Sequence, residues 1–349
     1  MLSKFTSLII IVLLFNSCAK LGYLIDQGAG QWNLLYDSTA NEEVLKDLTV
    51  KKEYRDKIRK IEEYKKYFYN YFSKKTTDIY SETVFLERSA VTYLVIASPF
   101  NDIKAKEECF IFMGCFPYLG FFDKSEALNH AKELERENYV TYVRPVYAYS
   151  TLGYFDDNII STFFLYKGDR LANLIFHELF HTIFFAKGDV ELNENLAMFF
   201  SQKLVEEYFQ YDDEDKRKKV DLKIKNKKLK QFVVQKVQEL KELYKSKQIL
   251  TKEKAKKLFA DFMTQNFTPK ARKFCDDLKM KNCDIAQRKW NNASFSAFLT
   301  YENKIDKLNS LFNDKNLSLA NFFLYIDKRY NEYKKGDEKT SFNVFLLGQ

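Results

Sequence analysis

The 349-residue chain is poor in the residues that interrupt helices, with only 10 glycines and 4 prolines. This scarcity excludes a collagen-like or proline-rich chain and, together with abundant lysine, glutamate and leucine, favours a mostly helical protein. Hydrophobic residues make up 46% and charged residues 30%, a balance that excludes an intrinsically disordered chain. We therefore expect a globular, predominantly helical protein long enough for one large domain or two modest ones.

Histidine is also scarce, and two of the 3 histidines stand four residues apart in LIFHELFHTIFF. This spacing places His177 and His181 on one face of a helix, one turn apart, where both imidazoles can bind one zinc ion. Glu178, offset around the helix, can reach a water that the metal activates. His-Glu-x-x-His is the signature of zinc metallopeptidases, and its uncharged neighbours suit a buried active-site helix. We expect Asp169 to cap this helix and Gly188 to end it.

A catalytic zinc requires a third protein ligand and an open position for water. The remaining histidine, His130, lies in the charged segment SEALNHAKELERE and is interpreted as a surface residue. A downstream carboxylate is therefore expected as the third ligand. The favoured candidate is Glu194, 13 residues after His181, on a second helix that begins near Asn193. Glu191 is the alternative.

Longer blocks of the sequence resemble the bacterial "putative aminopeptidase" family of zinc-dependent envelope proteins. The blocks are CFPYLGFFDKSEAL, VRPVYAYSTLGYFDDNIIST, LIFHELFH, NENLA and NNASFSAFLTYENKIDKLNSLF, and they extend from about Gly22 to Tyr325. The resemblance implies a gluzincin-like metallopeptidase with an α+β, predominantly helical, zincin-like fold and one zinc ion per chain. The chain departs from the family at Asn195 and Leu196, where Ser-Phe is expected, and in a lysine-rich segment after residue 212.

The same resemblance assigns His177, His181 and Glu194 as metal ligands and Glu178 as the base. It implies hydrolysis of a peptide or protein substrate, with an aminopeptidase as the first interpretation. The alternatives are an envelope endopeptidase of the same mechanism and a non-catalytic zinc-binding scaffold or chaperone.

Peptide hydrolysis also needs a group that stabilises the oxyanion, and a tyrosine often does this in gluzincins. Tyr301 and Tyr154 are the candidates. An aminopeptidase further needs a carboxylate that holds the free amine of the substrate, and Asp156 or Asp157 could serve. The segment 143–151 could be an edge strand that pairs with an extended peptide.

No apolar run in the sequence approaches the roughly 18 residues of a membrane span. The longest N-terminal run, Leu8–Phe15, follows Lys4, and the small residue Ser17 stands directly before Cys18, as in a bacterial lipoprotein signal. The pattern predicts cleavage before Cys18, lipidation of that residue and a membrane-anchored protein that faces the periplasm. Ala19 favours the outer membrane. An ordinary secreted chain is the alternative.

Four further cysteines form two close pairs in the sequence, Cys109 with Cys115 and Cys275 with Cys283. An oxidising periplasm would permit a disulfide within each pair, although four cysteines allow three connectivities. Neither spacing is typical of a structural zinc site.

Patterning along the chain predicts its organisation. Apolar residues at helical spacing predict helices over 41–90 and 125–137, whereas β-branched and aromatic residues predict strands over 91–99 and 139–150. The resulting segments are a lipoprotein signal peptide (1–17), a tether (18–40) and a single metallopeptidase domain (41–349), with a sheet and zinc-site core (91–206), a lysine-rich helical segment (207–290) and C-terminal helices (291–349).

The net charge of +8 arises from one segment. Residues 216–257 carry 17 Lys and Arg against 4 Asp and Glu. No nucleic-acid recognition motif accompanies them, so nucleic acid is not an expected partner. We interpret the segment as a solvated helical arm, with contact to anionic lipid as the alternative.

Overall fold

The computed structural model describes residues 22–348 except 24, 25, 31, 35, 111–113, 149–156, 247–250, 281–282, 300–304 and 337–339. These residues form a mostly helical α+β protein, which confirms the predicted class. None of their helices is long and apolar enough to cross a membrane.

The helices are α1 (Asn41–Lys46), α2 (Lys52–Tyr71), α3 (Lys124–Arg136), α4 (Asp169–Ile183), α5 (Val190–Phe209), α6 (Asp213–Lys245), α7 (Lys252–Phe262), α8 (Thr268–Asp277), α9 (Asn292–Leu299), α10 (Ile305–Lys315), α11 (Leu319–Tyr333) and α12 (Phe342–Leu347). The strands are β1 (Thr39–Ala40), β2 (Glu82–Val84), β3 (Thr92–Pro99), β4 (Glu108–Phe110), β5 (Gly114–Phe116), β6 (Leu119–Phe121), β7 (Tyr139–Val146) and β8 (Ile159–Ile160). The described residues also form two short 3-10 helices (Ser161–Leu165 and Asp284–Ala286) and one π-helical turn (Met263–Phe267).

The chain folds as two compact units, each built from separated segments. Of the described residues, those within 92–146 and 212–302 and those up to 27 belong to the sheet unit, and those within 28–91, 147–211 and 303–349 belong to the metal-site unit. The expectation of a single domain over 41–349 stays a prediction.

The sheet unit is built around β3, which pairs antiparallel with β6 on one side and with β7 on the other. The long pairing runs from Thr92 opposite Val146 to Pro99 opposite Tyr139. Helix α3 packs against β3 and β7. These elements confirm the strands predicted at 91–99 and 139–150 and the helix predicted at 125–137, although β7 ends four residues early, at Val146.

The rest of the sheet unit is a helical cluster with an aromatic interior. The second half of α6 contributes an apolar stripe that includes Val233, Val237 and Leu240, and the ring of Trp290 stacks on Phe295 at 4.4 Å between centroids. Disulfide bonds join Cys109 to Cys115 across β4 and β5, and Cys275 to Cys283 within the cluster.

The metal-site unit is built on the packing of α4 against α5 and of α2 against α4. The prediction of helices throughout 41–90 is wrong for its last third, because Glu82–Val84 forms strand β2, parallel to β8. Thr83 explains the difference: it is buried, and its hydroxyl donates to Asn41 Oδ1 at 2.8 Å, a contact that sequence spacing does not reveal.

Candidate metal centre

Helix α4, which carries the His-Glu-x-x-His motif, begins and ends at residues other than those expected. Gly168 is the capping residue, with a φ of +53° that favours glycine, and Asp169 is the first helical residue. The Asp169 carboxylate accepts a hydrogen bond from the Tyr211 hydroxyl at 3.3 Å instead of capping the helix. The helix ends at Ile183 because Phe184 is extended, so Gly188 (φ +79°) lies in the following turn.

Helix α4 is held by apolar contacts on both sides of the motif. The ring of Phe176 meets Tyr64 of α2 edge to face at 5.6 Å, and the ring of Phe180 stacks on Phe200 of α5 at 4.7 Å. At the end of the helix, the Tyr69 hydroxyl lies 2.9 Å from the Thr182 hydroxyl. These contacts fix the rotation of α4 and therefore the direction of its histidines.

Helix α5 begins at Val190, three residues earlier than expected, because the Asp189 carboxylate caps it by accepting from Leu192 N at 3.3 Å. Asn193 then ties α5 to the preceding turn. Its amide donates to the Ala186 carbonyl at 2.8 Å and accepts from the Ala186 N–H at 2.7 Å. The sequence motif did not reveal this contact, which sets the position of the next residue, Glu194.

The two histidines and Glu194 come together where α4 meets α5. The Glu194 carboxylate oxygens lie 3.3 Å from His177 Nε2 and 3.5 Å from His181 Nε2. Potential donor atoms of His177, Glu178 and His181 all lie within 4.8 Å of one another. Glu191 is exposed, and its backbone carbonyl accepts from the side chain of Asn195 at 2.7 Å. The assignment of Glu194 as a ligand stays a prediction.

The environment of His181 fits a metal ligand. The residue is 3% exposed, and neither of its ring nitrogens makes a hydrogen bond to the residues that the structure describes. A buried polar group without a hydrogen bond is costly, whereas a metal ion would take the lone pair of one nitrogen. Two imidazoles with nearby carboxylates form a donor set that suits zinc. The residues present therefore fit the expected metal.

The electrostatics of the two histidines differ. Burial, followed by the charge of His177, lowers the pKa of His181 to about 4, so its imidazole is neutral at pH 7. Burial also acts to lower the pKa of His177, but its hydrogen bond to Glu194 and the charges of Glu178 and Glu194 outweigh burial and raise that pKa. Burial acts to raise the pKa of Glu194, and the histidines outweigh it and lower that pKa. The neutral imidazole of His181 can therefore donate a lone pair to a metal ion.

Comparison with known families identifies the family of this chain. A family model described as "Putative aminopeptidase" matches residues 22–341. The chain belongs to this family. Neither a curated protein nor a solved structure matches the chain.

Two of the other residues singled out by the sequence, His130 and Asp157, lie in the described part of the chain. His130 lies on α3 in the sheet unit, with its Nδ1 3.7 Å from Glu133. Asp157 is buried, and its backbone carbonyl accepts from Tyr80 N at 2.7 Å. The remaining predicted residues lie outside the described part of the chain: Tyr154, Asp156, Tyr301 and the lipidation residue Cys18.

Sequence reasoning missed Tyr80, a residue whose backbone is held in an unusual conformation beside the motif. Its φ is +61°, which is rare for an aromatic residue, and its carbonyl accepts from Asn41 Nδ2 at 2.8 Å. The side chain is 1% exposed, and its hydroxyl makes no hydrogen bond in the described structure. Burial, then the charges of Glu178 and Asp157, raise the pKa of Tyr80. Nothing in the sequence distinguishes it among 23 tyrosines.

The pKa of His181 predicts that the metal-free protein loses stability in mild acid. Between pH 6.5 and about 4 the unfolded chain binds a proton at this residue and the folded chain does not. The free energy of unfolding therefore falls as the pH is lowered through this window, by about 3 kcal/mol in full. Urea denaturation of chelator-treated protein at several pH values measures it. Replacing His181→Gln should remove this slope, and equal slopes would contradict the prediction.

Tyr80 and Tyr69 offer a matched pair of substitutions, because both are buried in the same unit. Tyr69→Phe should lower the free energy of unfolding by about 1–2 kcal/mol, since the Tyr69 hydroxyl bonds both Thr77 and Thr182. Tyr80→Phe should leave it unchanged or raise it slightly, because the hydroxyl removed has no hydrogen-bond partner. Denaturation midpoints decide this, and equal losses for both variants would show that the Tyr80 hydroxyl is bonded in solution.

Asn193→Ala should damage both the fold and the metal site. The substitution leaves the buried N–H of Ala186 without its partner and its carbonyl with only the Asp189 N–H at 3.3 Å, at a cost of about 1–3 kcal/mol in stability. It also frees Glu194, so zinc affinity should fall by about 10–100-fold. The matched control is Asn309→Ala, whose amide bonds only the Ile305 carbonyl in its own helix. Calorimetric zinc titration measures the effect, and equal affinity in the two variants would rule out a positioning role for Asn193.

Proposed function

We propose that this protein is a zinc-dependent metallopeptidase of zincin-like, gluzincin-type fold, and that it acts as an aminopeptidase. The observation that carries the proposal is the burial of His181 beside His177 and two carboxylates, with no hydrogen bond from its ring nitrogens to any described residue. The family match independently points to peptide hydrolysis.

In this proposal His177, His181 and Glu194 hold the metal. Zinc bound there would act as a Lewis acid that polarises the scissile carbonyl and makes water nucleophilic at neutral pH. The neutral imidazole of His181 and the low pKa of Glu194 keep both donors in the deprotonated form that metal binding requires. Glu194 is the most exposed of the three proposed ligands, because 45% of its side-chain surface is accessible to solvent.

Glu178 takes the proton from the attacking water and delivers it to the leaving amine. Its position supports this role. Glu178 is buried on α4, between the two histidines in the sequence, and potential donor atoms of the three residues lie within 4.8 Å of one another. A carboxylate at this position can act as a general base without itself binding the metal. Oxyanion stabilisation by Tyr301 or Tyr154 remains a prediction.

The short distance between Glu178 and the two histidines also supports a second candidate function. If Glu178 were a ligand together with His177, His181 and Glu194, four protein donors would close the site, as in structural zinc centres. The protein would then be a zinc-binding scaffold or chaperone. The two functions differ in one observable, which is whether zinc stays bound when Glu178 is made neutral.

We further propose that the protein faces the periplasm from the bacterial envelope, anchored by lipid on Cys18. The support is the N-terminal sequence, in which a charged start and a short apolar run precede a small residue and Cys18. Two disulfide bonds in the sheet unit suit an oxidising compartment. The outer membrane is favoured by Ala19.

The decisive experiment compares Glu178→Gln, Glu194→Gln and the control Glu191→Gln by metal analysis and peptide hydrolysis. For Glu178→Gln we expect one zinc per chain to remain while kcat falls about 10²–10⁴-fold, because only the base is lost. For Glu194→Gln zinc affinity should fall at least about tenfold. Glu191→Gln should match the unaltered chain.

Each outcome of this comparison separates the candidate functions. Zinc loss in Glu178→Gln, with no hydrolysis by the unaltered protein, would select the closed structural site. Cleavage of peptides with a free N-terminus but not of N-blocked peptides selects an aminopeptidase, and cleavage of both selects an endopeptidase. A folded protein that binds no zinc would contradict the proposal.

A further inference from the structure

The first half of α6 is a helical segment that has no buried residue. We call residues 213–228 the lysine arm, because every one of them is exposed or half-buried and the first buried residue of the helix is Leu229. From Leu229 onward α6 enters the interior of the sheet unit. A helix of about 24 Å thus precedes the packed part of α6.

The lysine arm is stabilised as a helix by its own local contacts. The Asp212 carboxylate caps it by accepting from Asp215 N at 2.7 Å. Ion pairs one turn apart follow, with Lys218 at 2.6 Å from Glu214 and Lys225 at 2.6 Å from Asp221. The arm is therefore helical before any partner binds, so binding would not have to order it.

Positive charge on this helix is dense and arranged in a row. Residues 216–230 contain 9 lysines and arginines and a single acidic residue, Asp221. Five of the lysines recur every three or four residues, which places them along one face of the helix: Lys216, Lys219, Lys223, Lys227 and Lys230.

Apolar side chains are exposed along the same arm. Val220 is 57% exposed, Leu222 51% and Ile224 48%. Val220 and Ile224 lie one turn apart beside the lysine row, because each follows a lysine of that row by one position. A helix that contacted only solvent would not need exposed apolar side chains at these positions. Nucleic acid would offer phosphates to the lysines but no apolar environment to Val220 and Ile224.

We propose that the lysine arm is a docking surface for anionic lipid. Its lysines would lie among lipid phosphates while Val220 and Ile224 enter the boundary between headgroups and acyl chains. A basic surface on the same chain would add electrostatic attraction to the hydrophobic attachment of the lipid anchor and would bring this part of the protein to the membrane surface. The setting rests on the proposed envelope location, but lipid binding by the arm does not depend on peptidase activity.

The test uses the chain from Ala19 onward, which lacks the predicted signal peptide and Cys18, with vesicles of phosphatidylglycerol and phosphatidylcholine. We expect binding to mixed vesicles that weakens as salt is raised, and little binding to phosphatidylcholine alone. Replacing Lys219, Lys223 and Lys227 together by glutamine should weaken binding by about 100-fold. The matched control carries the same change at three exposed lysines of α7, Lys254, Lys256 and Lys257, and should bind nearly as the unaltered chain.

A second variant tests the apolar part of the surface. Val220→Ser combined with Ile224→Ser should weaken vesicle binding by about tenfold without changing the net charge. Hydrolysis of a short soluble peptide by all variants should stay unchanged, so a failure of the arm is distinguishable from a failure of the proposed enzyme. Equal losses in the two lysine variants, unchanged binding after the serine substitutions, or tighter binding to polyglutamate or single-stranded DNA than to vesicles would each overturn the proposal.

Discussion

The candidate metal centre depends on one pair of buried hydrogen bonds, those between the side chain of Asn193 and both backbone groups of Ala186. Buried backbone N–H and carbonyl groups must be paired, and in the turn after α4 no regular element pairs those of Ala186. The amide of Asn193 bonds both groups, in addition to a turn bond from Asp189 N to the same carbonyl at 3.3 Å, and thereby fixes where α5 starts relative to α4. Glu194, the next residue, consequently faces His177 and His181.

The grouping of the candidate ligands could be predicted from the sequence because it depends on short-range spacing. Residues four apart on a helix must share a face, so the pairing of His177 with His181 follows from the motif alone. The approach of Glu194 required only a short turn between two helices. The prediction of strands over 91–99 and 139–150 also depended only on local sequence, because β-branched and aromatic residues are typical of strands.

The features that escaped prediction depend on contacts between distant parts of the chain. Strand β2 exists because Thr83 bonds Asn41, 42 residues away, and because Ile159 lies opposite Thr83 in β8. Tyr80 reaches the neighbourhood of Glu178 through a backbone conformation that no sequence pattern specifies. The start of α5 moved by three residues because the side chain of Asp189 could cap it, which depends on the geometry of the turn.

The discontinuity of the metal-site unit has a consequence for biosynthesis. Its helices come from three separated stretches of chain, and the carboxylate that caps α5 also accepts from the backbone of Asn343 in α12, 154 residues further on. Contacts of such long separation form slowly and only after the later segment is available. A growing chain therefore cannot complete this unit until α12 has been made, so the cap of α5, the helix that carries Glu194, acquires its last contact only then.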